Sequence, residues 1–160
     1  MEDSQIDGSP RTQFGALPYR WTKDGELEVM LVTSRETRRW VIPKGWPMKK
    51  LKPFAAAKRE AYEEAGLTGH VGKRPIGSFT YQKRLKTRDV VPCRVEVFLL
   101  DVQRQAKRWP ERKERECQWF LPDEAAERVD EPELADLIRA LPDVLGKAGV
   151  GPTLAQAAAG

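Results

Sequence analysis

Apolar and polar residues alternate along LEVMLV (27–32), with Leu27, Val29 and Leu31 on one side, directly after the turn-forming Lys23, Asp24 and Gly25. A period of two marks a half-buried strand, and its position after the turn predicts a hairpin with FGALPYRW (14–21) as the partner strand. RWVIP (39–43) predicts a short strand stopped by Pro43, with Arg39 and Trp40 on opposite sides. After a loop of about ten residues the pattern changes, and a helix is predicted over Pro53–Ala65. Pro53 suits the first turn, Ala55, Ala56, Ala57 and Ala61 favour helix, and Gly66 supplies a left-handed stop. IGSFTY (76–81) and CRVEVFLLDV (93–102) predict strands separated by a long basic loop, and CQWFL (117–121) predicts another. DEPELADLIRAL (130–141) reads as an amphipathic helix, with Asp130 as cap and Glu133 completing a capping box. Strands, helix, strands, helix, without an internal repeat, predict an α/β (α+β) fold with a mixed sheet and helices on both faces. Residues 1–12 and 146–160 read as flexible tails around one domain at 13–145.

Composition adds exclusions. A chain of 160 residues with 40% apolar and 32% charged residues fits one soluble globular domain. Its longest apolar run, VEVFLL (95–100), is strand-sized, far short of the roughly 20 residues that span a bilayer, so no membrane association is expected. The opening MEDSQIDGSP is acidic and polar, unlike a secretory signal or an Arg-rich transit peptide, and a cytoplasmic location is expected. Cys93 and Cys117 form no CxxC, so both thiols are expected to be reduced and structural. The net charge of +4 gathers its basic residues in 83–88 and 104–115. Such runs are compatible with solvated loops, with nucleic acid, or with a substrate carrying several phosphates.

The chemistry concentrates in REAYEEAGL (59–67). On a helix, Glu60, Glu63 and Glu64 share a face, and Glu60 and Glu64 stack one turn apart, which costs about 0.2–0.5 kcal/mol per like-charged pair. Two readings stand side by side: a solvated surface helix with Arg59 paired to Glu63, or a site whose repulsion a dication relieves. Mg2+, or Mn2+ in its place, takes hard oxygen ligands, usually one or two carboxylates with waters and substrate phosphates. His70 is the single histidine, placed in a turn after GLTG, so a zinc site of His/Cys type is excluded.

Residues 45–67 resemble the Nudix box, G-x5-E-x7-R-E-U-x-E-E-x-G-U with U aliphatic: Gly45, Arg59, Glu60, Ala61, Glu63, Glu64, Gly66 and Leu67 stand at the required spacing. The resemblance extends over about residues 14–142 and implies a Nudix-type α/β/α sandwich with a mixed central sheet. The lead-in VTSRETRRWVIPKGW (32–46) looks most like the branch that hydrolyses diadenosine polyphosphates and diphosphoinositol polyphosphates. One position departs. The first glutamate of the box is Leu51 here, so Arg59 must lean on Glu63 or another acid.

The resemblance further implies hydrolysis of a phosphoanhydride by water attack on phosphorus, assisted by Mg2+ or Mn2+. It assigns Glu60 and Glu64 as primary metal ligands, with Glu63 joining them or acting as general base, and the carbonyl of Lys44 as a further ligand. Lys44 and Gly45 would face the phosphates, Ser34 and Arg35 the distal phosphates, and Arg39 either the substrate or solvent. Trp46 and Tyr81 would stack on a base or pack at the rim, and Glu114 or Glu116 would supply an additional acid. Three other readings stay open. They are a nucleic-acid-binding module, a Nudix-fold sensor that binds nucleotides without turnover, and an RNA 5′-pyrophosphate hydrolase. The expected partner is a phosphorylated small molecule, and the chain is expected to act as a monomer or a homodimer.

Overall fold

Residues Gly15 to Tyr19 of β1 (Arg11–Trp21) are buried one after another, so both faces of this strand are covered. The structure, a computed structural model, describes residues 9–151. Most of the two tails expected at 1–12 and 146–160 lies outside the described residues, and the described parts include the start of β1 at Arg11.

The remaining strands are β2 (Leu27–Thr33), β3 (Trp40–Val41), β4 (Lys44–Gly45), β5 (Leu67–Val71), β6 (Gly77–Arg84), β7 (Val90–Gln105) and β8 (Cys117–Phe120). The helices are α1 (Pro53–Ala65), α2 (Pro122–Arg128) and α3 (Pro132–Lys147). Together the strands form one mixed sheet of eight, with the path β3-β2-β1-β7-β5. β1 and β7 run parallel, and the other pairs are antiparallel. Helix α1 packs on β1, β4, β5 and β7, whereas α3 packs on β6 and α2. The expected sandwich with helices on both faces is the observed one. Phe79, Phe98, Leu17, Leu31, Ile42, Leu134, Ile138 and Leu141 are fully buried in its core.

Several local expectations are corrected. The basic segment after β6 is no long loop: β6 and β7 pair in register out to Arg84 and Val90, and Leu85 N–H donates to Asp89 across a tight turn. His70 is not in a turn but in β5, exposed and opposite Asp101, because β7 is long enough to recruit a second antiparallel neighbour. The capping box at Asp130 does not form. Glu131 is the N-cap of α3 without a side-chain cap hydrogen bond, and the Glu133 carboxylate accepts instead from Thr80 N–H on β6. A tertiary partner outcompeted the local one. Helix α1 has the expected bounds, with Pro53 in the first turn and Gly66 at φ 71° closing it.

Candidate active site

Three elements converge at the N-terminal end of the Gly45 loop. Pro43 ends the preceding segment with its carbonyl on Ala16 N–H, and Lys44 and Gly45 then pair with Gly15 and Phe14 of β1 as the two-residue β4. This anchors the loop against the sheet centre and directs it over α1. A Cβ on Gly45 would lie 2.2 Å from Oε2 of Glu60, so only glycine admits that carboxylate against the main chain.

On α1, Ala57, Ala61 and Ala65 are buried against the sheet, which turns Glu60 and Glu64 toward the loop and places Glu63 at the edge. Glu64 is only 4% exposed. Burial pushes its carboxyl up to about 8, opposed by Arg115 and Lys44. Burial likewise pushes Glu60 up to about 7, and a hydrogen bond with the Glu64 carboxyl partly offsets this. Glu63 turns to Arg59, its Oε2 3.0 Å from Nε. This is the brace expected where Leu51 replaces a glutamate. Lys44 is half-buried, its ammonium 4.7 Å from the centre of the Tyr81 ring. Burial pulls its pKa down to about 8, with Glu64 opposing the shift.

Of the residues expected at the site, Ser34, Arg35, Arg39, Lys44, Gly45, Glu60, Glu63 and Glu64 line one cleft of about 560 Å³. Lys83 and Arg84 from the β6–β7 hairpin line the same cleft. Lys83 also reaches over the exposed Trp46, its Nζ 6.0 Å from the ring centre. Arg35 is held by Glu114 at 2.9 Å. Arg39 is held by Glu131 at 2.8 Å and Asp130 at 3.5 Å. Ser34 bonds to Thr37 and accepts the Arg39 N–H. Tyr81 packs into the wall with its hydroxyl donating to Gln13 at 2.6 Å.

A further acid that sequence reasoning missed, Glu111, lines the cleft. Glu114 and Glu116, the expected candidates, turn to Arg35 and Arg38 instead. Glu111 lines the cleft with the helix acids, and its Oε1 takes the Nε–H of Arg115 at 2.7 Å. Arg115, 10% exposed, also approaches Glu64 at 3.6 Å and donates to the Thr33 carbonyl at 3.1 Å. The i,i+4 spacing of Glu111 and Arg115 was the available signal, hidden in a run that read as a basic loop.

Among the described residues no three His, Cys, Asp or Glu side chains already converge as a metal cluster, since Glu63 is drawn to Arg59 and Glu64 toward Arg115. The donor set nevertheless fits a hard dication. The buried Glu64 and half-buried Glu60 carboxyls, both of raised pKa, share a hydrogen bond, and Glu63 is held by an exposed ion pair worth little. Displacing one proton and one arginine would leave oxygen ligands suited to Mg2+ or Mn2+.

Comparison with known proteins agrees with this geometry. The family model described as NUDIX domain matches residues 11–141. The chain is 33% identical over 138 residues to a protein of Arabidopsis thaliana named Nudix hydrolase 12, mitochondrial, covering 77% of this chain and 68% of that one. It is 36% identical over 103 residues to diphosphoinositol polyphosphate phosphohydrolase 3-alpha of Mus musculus, covering 62% of this chain and 58% of that one. Among solved structures, an Ap4A hydrolase of C. elegans superposes with a TM-score of 0.57 at 23% identity, over 86% of this chain and 99% of that one.

Proposed function

The chain belongs to the Nudix family and is a hydrolase of phosphoanhydride bonds, and from that premise we propose that it acts with Mg2+ or Mn2+ on a small molecule carrying a polyphosphate. The proposed substrate is a diadenosine polyphosphate or a diphosphoinositol polyphosphate. One observation carries this reading: a single cleft is lined both by Glu60, Glu63 and Glu64 of α1 and by the cations Arg35, Arg39, Lys44, Lys83 and Arg84. That lining suits a ligand that carries a cleavable phosphoanhydride and further phosphates. The names of the murine relative and of the C. elegans enzyme point to the same two substrate classes.

Glu60 and Glu64 would hold the dication, with Glu63 within reach beside them and the Lys44 carbonyl as a further donor. A bound dication neutralises phosphoryl charge and makes water a better nucleophile. Glu63 and Glu111 are the acids placed to accept the proton of the attacking water. Lys44, whose pKa burial lowers to about 8, stays largely protonated at neutral pH and offers its ammonium to an entering phosphate. Arg35 and Arg39, each already oriented by acids, present their remaining N–H groups to distal phosphates. Trp46 is positioned for a base or for the rim of the substrate. We place the protein in the cytoplasm, a location that subcellular fractionation would test.

The test is a panel of diadenosine polyphosphates, diphosphoinositol polyphosphates, nucleoside triphosphates and 5′-triphosphorylated RNA, with Mg2+ or Mn2+, repeated with Glu64→Gln. Metal-dependent cleavage of a small polyphosphate is expected, falling at least about 100-fold in the variant, roughly 2.7 kcal/mol of barrier. Preference for RNA would move the assignment to a 5′-pyrophosphate hydrolase. The Arg59–Glu63 pair behind Leu51 favours a second reading, a sensor with a disabled box. Tight ligand binding without turnover across the panel would establish that one.

A further inference from the structure

An α-helix leaves its last four carbonyls without intrahelical partners. In α1 those carbonyls belong to the turn that carries Glu63 and Glu64. One of them is satisfied locally, Tyr62 C=O by Gly66 N–H. The rest are satisfied from a single segment, residues 105–117. Glu111 N–H donates to Glu63 C=O at 2.9 Å. The Trp109 indole N–H donates to Glu64 C=O at 3.1 Å, and the Gln105 side chain donates to Ala65 C=O at 2.9 Å. Ala106 N–H then takes Gly66 C=O at 2.8 Å. The cap of the acid-bearing helix is therefore made by the same segment that brings Glu111 and Arg115 into the cleft.

Trp109 is the rigid part of this cap. Its ring covers Gly66 so closely that a Cβ there would lie 2.3 Å from the ring edge. Arg112 covers the ring, its guanidinium carbon 5.7 Å from the centre. The Arg112 N–H closes a turn on the Trp109 carbonyl at 3.3 Å, and Glu111 lies inside that turn. Wherever the indole is pinned, the Glu111 main chain is pinned two residues later. Neither Trp109 nor Gln105 lines the cleft.

We propose that Trp109 is a positioning residue for hydrolysis: by docking on the C-terminal end of α1 it fixes Glu111 relative to Glu63 and Glu64, and acts through Glu111 alone. The inference rests on the hydrolase reading above. It differs from a general stabilising role, because its effect on turnover must vanish once Glu111 has lost its carboxylate.

The experiment is a double-mutant cycle on the full chain with the substrate found by the panel. Trp109→Leu should lower kcat at least about tenfold while KM changes less than about threefold, and Trp109→Phe, which keeps a ring but not the N–H, should fall between. In a Glu111→Gln background, Trp109→Leu should lower kcat less than about twofold further. Hydrogen exchange supplies a second readout: the amides of Ala106 and Glu111 should exchange at least about tenfold faster in Trp109→Leu. Should Trp109→Leu not fold, Trp109→Phe carries both measurements. An additive cycle, a loss confined to KM, or unchanged amide protection would each overturn the proposal while leaving the hydrolase reading intact. A wild type inert on the whole panel would instead defeat the hydrolase reading, and this inference with it.

Discussion

Glu60 and Glu64 titrate in a direction opposite to that of most folded carboxylates, and that sets a measurable signature. Burial raises both above the ordinary value of 4.5, to about 7 and about 8. The native protein therefore keeps protons that the unfolded chain releases, and the stability linked to these groups is full below about pH 4.5 and is lost as pH rises toward about 7 to 8. Glu64→Gln cannot titrate, so comparing the two proteins isolates Glu64 together with its coupling to Glu60, Lys44 and Arg115. In a chelator, the Tm of wild type relative to Glu64→Gln should fall by several degrees between about pH 5 and about pH 8, at about 2–4 °C per kcal/mol. Excess Mg2+ or Mn2+ should restore it at the higher pH in the wild type only. A pH-independent difference between the two proteins would remove Glu64 from the buried acid pair. Lys44 adds the opposite slope higher up: its pKa is lowered to about 8, so its contribution to stability rises with pH between about 8 and its ordinary 10.5.

At the scale of elements, the decisive joint is the end of α1. Gly66 sits at φ 71°, a conformation costing about 1–2 kcal/mol for a residue with a Cβ, and its open side is filled by Trp109. Gly66→Ala should therefore lose at least about 2 kcal/mol, a drop in Tm of about 4–8 °C by circular dichroism. A drop under about 2 °C would mean that the indole swings aside freely and does not cap the helix. This joint was half legible. Gly66 as a left-handed stop follows from its place after a helical run, whereas its neighbour Trp109 lies in a segment that read as basic loop. The same limit explains β5 and the extended β6–β7 hairpin. Their sequences carry polar residues, as in TGHV (68–71) and QKR (82–84), and they are strands because β7 offers a ladder of partners.

For the molecule as a whole, the cleft gathers cations as well as acids. Arg35, Arg39, Lys44, Lys83 and Arg84 come from three separate stretches of chain, and they meet only because β6 and β7 pair beside β1. Charges gathered this way attract a polyanion from a distance that salt shortens, from about 10 Å at 0.1 M to about 3 Å at 1 M. The ratio kcat/KM should fall about tenfold between about 0.05 and about 0.5 M KCl, with most of the loss in KM. A salt-independent KM would argue that direct contacts, rather than the collective field, bind the phosphates.

What could be read along the chain was whatever depends on neighbours a few residues apart: the bounds of α1, the stacking of Glu60 over Glu64, the Gly45-to-Leu67 spacing, the alternation of β2. Each follows from helical or pleated repeat distances, which hold in any surroundings. Tertiary structure alone decided which acid joined the helix trio and where the arginines pointed. Glu111 rather than Glu114 or Glu116 lines the cleft, on a segment whose Trp109 docks on the C-terminal end of α1. Glu133 abandons a cap for Thr80 because β6 passes beside it. Ion pairs and hydrogen bonds of that kind join residues tens of positions apart, and their partners are set by which strands lie side by side, a choice made by the burial of both faces of β1.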